Sequence, residues 1–109
     1  MANPYRGEVE AVLDGRPWTL CLTLGALAEL ERAFQCADMT ALVDRFASGK
    51  LAAMDAVRII GAGLRGAGHP VEDAAVARMT ADGGAAGFAA IVTRLLTATF
   101  GSGEVSDPS

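Results

Sequence analysis

A chain of 109 residues, 51% apolar and 20% charged, holds one modest hydrophobic core and falls within ordinary globular composition. Its net charge is −4 and its nine basic residues are scattered singly, which speaks against a nucleic-acid partner. No stretch approaches the ~20 apolar residues of a membrane span, and residues 1–7 have no apolar run of the kind a secretion signal needs, so a cytoplasmic location without a membrane partner is expected.

Residues 6–22 read as a β-hairpin, with Asp14-Gly15 as a two-residue turn signal. Pairing outward from that turn sets Leu13 against Arg16, Ala11 against Trp18, Val9 against Leu20 and Gly7 against Leu22. The opposite face pairs Val12 with Pro17, Glu10 with Thr19 and Glu8 with Cys21. The first face is apolar and should cover helices, with Trp18 largely buried; the second is mostly polar. Pro17 falls at a non-hydrogen-bonded position, where its missing N–H costs nothing. The outer edge of the hairpin is expected to be exposed and able to accept another strand.

After Leu22 the apolar period changes from two to about 3.6. Thr23 caps a helix reaching about Gln35, with Leu24, Leu27, Leu30 and Phe34 on one face and a Glu29–Arg32 ion pair on the other. Asp38 caps a short helix that turns Leu42, Val43 and Phe46 inward and ends at Gly49. A third helix is expected over 52–67, with Ala53, Val57, Ile60, Leu64 and Ala67 on one stripe. Each glycine inside it costs up to about 1 kcal/mol relative to alanine, so the glycines point to close approach of another element. Pro70 then opens a short helix over 71–80, and Asp82-Gly83-Gly84 forms a turn. The last helix, 85–100, carries Phe88, Ile91, Val92, Leu95, Leu96 and Phe100 around roughly half its circumference. That arc is wider than the ~100° stripe of a surface helix. It reads first as a core helix, with its outward members left to meet a partner. Residues 101–109 are polar and read as a flexible tail. The expected fold is α+β: an N-terminal hairpin packed on about five helices, a mostly helical single domain over residues 1–100.

Chemistry finds little support. The run Gly61-Ala62-Gly63-Leu64-Arg65-Gly66 matches GxGxxG, the turn that cradles a dinucleotide's pyrophosphate. In that fold the last glycine opens a helix, whereas here Gly68-His69-Pro70 follow and stop one. The acidic residue at the right distance, Asp82, stands after an alanine-rich helical stretch rather than a second strand. The run therefore reads as the glycine-rich end of a helix, and no cofactor is expected. His69, the single histidine, sits at a helix end where it can satisfy a carbonyl. Cys21 and Cys36 lack metal-ligand spacing and read as ordinary thiols. The pairs Glu8/Glu10, Glu29/Glu31 and Glu72/Asp73 read as solvated charges.

Three segments carry a likeness to a known family: Leu22-Thr23-Leu24-Gly25-Ala26-Leu27-Ala28-Glu29-Leu30-Glu31, then Ile59-Ile60-Gly61-Ala62-Gly63-Leu64-Arg65-Gly66-Ala67-Gly68-His69, then the alanine-rich last helix. Together with the opening Asn3-Pro4-Tyr5-Arg6-Gly7-Glu8-Val9 and the Asp14-Gly15 hairpin, the chain resembles the gene transfer agent family of small phage-tail-related proteins over residues 3–100. The family is similar to tail assembly chaperones of long-tailed phages and has also been labelled a tail tube protein. The resemblance implies a non-enzymatic cytoplasmic factor that holds the tape measure protein soluble and helps tail tube protein assemble around it. It brings no catalytic residues. The candidate contact residues, taken from the arc of the last helix, are Phe88, Ile91, Leu95, Leu96 and Phe100. Self-association into a homo-oligomer is compatible with this role. The alternatives are a structural subunit of the tail and a dinucleotide-binding enzyme.

Overall fold

The computed structural model describes residues 7–48 and 51–101. β1 (Glu8–Leu13) and β2 (Arg16–Cys21) form an antiparallel hairpin in the expected register, from Leu13 opposite Arg16 to Glu8 opposite Cys21. Asp14 and Gly15 both take positive φ, +55° and +74°, as a tight hairpin turn of matching twist requires. Ala11, Leu13 and Leu20 are buried on the inner face, which lies on the third and fifth helices, while Glu10 and Val12 point outward.

Trp18 is half-buried rather than enclosed. Its ring lies beyond the end of the third helix, edge-on to His69 with centroids 5.0 Å apart, under the Arg16 guanidinium at 4.8 Å. The indole N–H donates to the Leu13 carbonyl at 3.2 Å. Trp18→Ala is accordingly expected to cost about 1–3 kcal/mol in urea unfolding, below the ~3–5 kcal/mol of a fully buried aromatic.

Among the described residues five α-helices follow the hairpin: α1 (Leu24–Ala33), α2 (Met39–Ala47), α3 (Ala53–Gly66), α4 (Asp73–Val76) and α5 (Gly84–Leu96). A π-helical turn over Thr97–Gly101 prolongs α5. The molecule is thus a single α+β domain. No helix among the described residues is long and apolar enough to cross a membrane. The capping residues act as the sequence predicts. Thr23 Oγ1 accepts from the Ala26 amide at 3.2 Å, and Asp38 Oδ1 accepts from the Ala41 amide at 2.9 Å. α3 ends in a Schellman turn, with Gly68 at φ +97° and the His69 amide donating to the Leu64 carbonyl at 2.9 Å.

Several local expectations are corrected. Leu24 is 75% exposed, because the inward face of α1 carries Ala26, Leu27, Leu30 and Phe34, and Leu24 stands on the outward side of its first turn. Glu29 pairs with Arg65 across the fold, with Nη2 to Oε1 at 2.7 Å, in place of the expected Arg32. The helix expected over 71–80 shrinks to Asp73–Val76. Beyond it the chain tightens, with Met79 donating to the Val76 carbonyl, and Thr80 is drawn to Asp14. The expected stop at Gly49, the opening residues through Arg6 and the polar tail from residue 102 lie outside the described residues.

α3 is the axis of the core. Ile59, Ile60, Ala62 and Leu64 are buried along it and join Leu13, Leu20, Leu30, Leu42, Val92 and Leu95 in one cluster. Its glycines let neighbours approach. A Cβ at Gly61 would overlap the Asp73 carboxylate, and one at Gly66 would overlap the Cys21 carbonyl. At Gly63 it would fall 2.8 Å from Leu95 Cδ2 and 3.2 Å from Leu20 Cβ. The GxGxxG run is therefore a packing row inside a helix, covered by α4, α5 and the hairpin, and it does not follow a strand.

The hairpin edges differ from the open ones expected. On β1 the Glu10 carbonyl accepts from Arg94 Nη1 at 2.8 Å. On β2, Pro17 has no amide to offer, and the Cys21 carbonyl lies against Gly66. An added strand would have to displace these contacts.

Candidate protein-binding groove

On one side of α3 the helices leave a groove of about 760 Å³. Its floor is α3, through Ala56, Val57 and Ile60. α2 closes one end through Val43 and Phe46, and the segment around α4 supplies Val76, Ala77 and Met79. The opposite wall is a ridge of α5: Ala85, Ala89, Thr93 and Thr97 are exposed along it at four-residue spacing, beside half-buried Phe88, Leu96 and Phe100. Among the described residues no charged side chain lines the groove, and the side-chain hydroxyls on it are those of Thr93 and Thr97. A site for a polar metabolite places convergent polar groups to fix orientation. The lining of this groove offers mainly apolar contact.

The structure divides the candidate contact residues. Phe88, Leu96 and Phe100 line the groove. Ile91 and Leu95, 4% and 0% exposed, are core residues and do not line it. The reason is helical phase. Phe88, Val92 and Leu96 repeat every four residues on the groove side, whereas Ile91 and Leu95 form the adjacent row, and Leu95 reaches Gly63. Val43, Leu51, Val57 and Met79 also line the groove, and the sequence did not mark them as contact residues. Val57 stands on the expected inward stripe of α3, and nothing local distinguishes a residue facing a covered core from one facing an open groove.

Across α3 from the groove floor, Arg65 joins three elements. Its guanidinium bonds Glu29 through Nη2 and Nε, at 2.7 and 3.2 Å, and through Nη1 donates to Asp73 Oδ1 at 3.0 Å and the Val71 carbonyl at 2.9 Å. Its hydrogen bond to Glu29, backed by the hydrogen bond to Asp73 and by both negative charges, raises the Arg65 pKa above its ordinary value against the opposing effect of burial. The guanidinium is therefore a permanent charge and its role is to hold α1, α3 and α4 together.

The remaining candidates do not converge on this groove. The side chain of His69 packs on Trp18, and its Nε2 is buried without a hydrogen-bond partner, so the carbonyl expected to accept from it is not there. Cys21 and Cys36 form no disulfide among the described residues, and both are half-buried. Asp55, the buried carboxylate, accepts from the Ala52 amide at 2.9 Å and lies 3.6 Å from Arg45, which gives it a helix-capping part.

Compared with known proteins, the chain matches a family model described as phage tail tube protein, GTA-gp10, over residues 6–102. No curated protein and no solved structure gives a significant match.

Proposed function

Since this chain belongs to the family described as phage tail tube protein, GTA-gp10, we propose that it is a non-enzymatic tail assembly chaperone of a gene transfer agent. Its partner is the tape measure protein, an apolar helical segment of which it masks until tail tube protein assembles around it. The observation that carries this reading is the open groove between α3 and the alanine-threonine ridge of α5, mostly apolar and without a lining charge among the described residues. A client helix offers the matching surface, and an apolar contact without fixed hydrogen bonds tolerates the register shifts that a reversible chaperone needs. The capped hairpin edges favour docking on helices over strand addition.

The family's own description favours a second reading, a structural subunit of the tail. Two measurements separate them. Under the chaperone reading, co-expression keeps the tape measure protein in the soluble fraction, and purified particles contain none of this chain by mass spectrometry. Recovery of the chain from particles at a stoichiometry matching tail rings would replace the chaperone reading with the structural one.

A further inference from the structure

We infer that the segment between Gly68 and Gly83 is a hinged strap that sets the aperture of the apolar groove. The inference rests on the groove's proposed role only for its purpose, since the motion belongs to the free chain. The strap supplies one side of the groove through Val76, Ala77 and Met79.

Polar latches hold it at both ends. At the first end Arg65 Nη1 grips the Val71 carbonyl at 2.9 Å and Asp73 Oδ1 at 3.0 Å. At the second, Asp14 Oδ1 accepts from the Thr80 amide at 2.8 Å and the Thr80 hydroxyl at 3.1 Å, and the Asp14 amide donates to the Thr80 carbonyl at 2.9 Å. Asp14 itself holds the turn's positive φ of +55°, and its carboxylate reaches across the fold to Thr80. Between the latches only Val76 is fully buried, at 3% exposure; Val71, Met79 and Ala81 touch the core with partial burial. The strap's helix is one turn of four residues, too short to persist by itself.

The strap's ends are built to pivot. Gly68 takes φ +97° and Gly83 and Gly84 take +86° and +59°. A Cβ at Gly68 or Gly84 would meet nothing within 4 Å, so glycine is present there for its backbone conformation and not for packing. These are positions that absorb large dihedral changes when a segment moves as a body. The latches are partly solvent-accessible contacts, with Arg65 and Asp73 side chains 29% and 36% exposed, whereas α3 and α5 are locked by buried apolar rows. The strap therefore swings out about its glycine ends with the rest of the core intact, drawing Val76 and Met79 from the groove and widening it for an occupant.

Native-state hydrogen exchange on the full chain alone tests this. The amides of Val76, Ala77 and Met79, bonded to the carbonyls of Glu72, Asp73 and Val76, should exchange through a smaller opening than the one that exposes the Leu64 and Leu95 amides. Asp14→Gly, which suits the turn while removing the two carboxylate bonds of one latch, and Asp73→Ala, which weakens the other, should each speed the strap amides by about tenfold relative to those core amides. The inference is overturned if strap and core amides exchange only together in the unaltered chain. It is equally overturned if both variants leave their ratio unchanged. Failure of the tape measure protein to bind, with the strap opening as described, counts against the groove reading alone.

Discussion

Gly66→Ala should lower the stability by about 2–4 kcal/mol and the melting temperature by roughly 10–20 °C, although alanine is the better helix former by ~1 kcal/mol. The added methyl would overlap the Cys21 carbonyl, a backbone group rather than a flexible side-chain end. That carbonyl has little freedom to retreat. The next residue, Leu22, is buried in the core, and the one after it, Thr23, caps α1. Relief must come from moving α3 off the hairpin, which strains every contact along its buried face. Gly25→Ala supplies the opposite sign. It lies in the first turn of α1, where a Cβ would have Thr23 Oγ1 as its nearest neighbour at 3.9 Å, so the ordinary helix preference should prevail and stabilise by about 0.5–1 kcal/mol. Calorimetry on the two variants measures both. Equal behaviour would mean that the contact between α3 and the end of β2 is looser than described.

A second large effect is expected at the groove. Ala89 and Thr93 are exposed on the α5 ridge, so glutamate at both should leave the fold intact while placing two carboxylates where an apolar partner must sit. Burying even one such charge without a partner costs several kcal/mol, so Ala89→Glu with Thr93→Glu should weaken binding of the tape measure protein by about 100-fold or more. In co-expression the partner should move to the pellet while circular dichroism of the variant stays unchanged. Leu95→Ser is the contrasting case. It removes a core side chain and should cost about 2–5 kcal/mol of stability. If the double glutamate variant still holds its partner in solution, the groove is not the docking surface.

The hairpin was legible because two independent signals agreed: the Asp14-Gly15 turn and the alternation on each side of it give the same register. The caps at Thr23 and Asp38 were legible for a similar reason, since a capping side chain acts within three residues of itself. What the sequence hid were contacts between distant segments. Arg65 reaches Glu29 from 36 positions away, and Thr80 reaches Asp14 from 66, and these pairings override the local Glu29–Arg32 spacing and the helical pattern over 71–80. The groove was half legible. The wide apolar arc of α5 flagged surplus hydrophobic surface, but its phase against α3 decides which side chains face outward. That phase placed Phe88, Leu96 and Phe100 on the groove and Ile91 and Leu95 beneath it. The glycine row shows how a motif misleads when its setting is ignored: the same spacing that admits a phosphate to a backbone also admits a carboxylate, a leucine and a carbonyl to a helix.

The way the hairpin finishes its two margins bears on what happens when many copies are crowded together. Cross-β growth templates on a row of unpaired amides and carbonyls along an uncovered strand. Here Arg94 occupies one margin in its middle and a proline interrupts the other, so neighbouring copies find no continuous template. If the chain attends an aggregation-prone client as proposed, an uncovered strand would recruit it into the very deposits it prevents. Concentrated solutions of this chain, seeded with fibrils of an unrelated protein, should therefore stay clear and leave thioflavin fluorescence flat, while Arg94→Ala with Pro17→Val should shorten the lag.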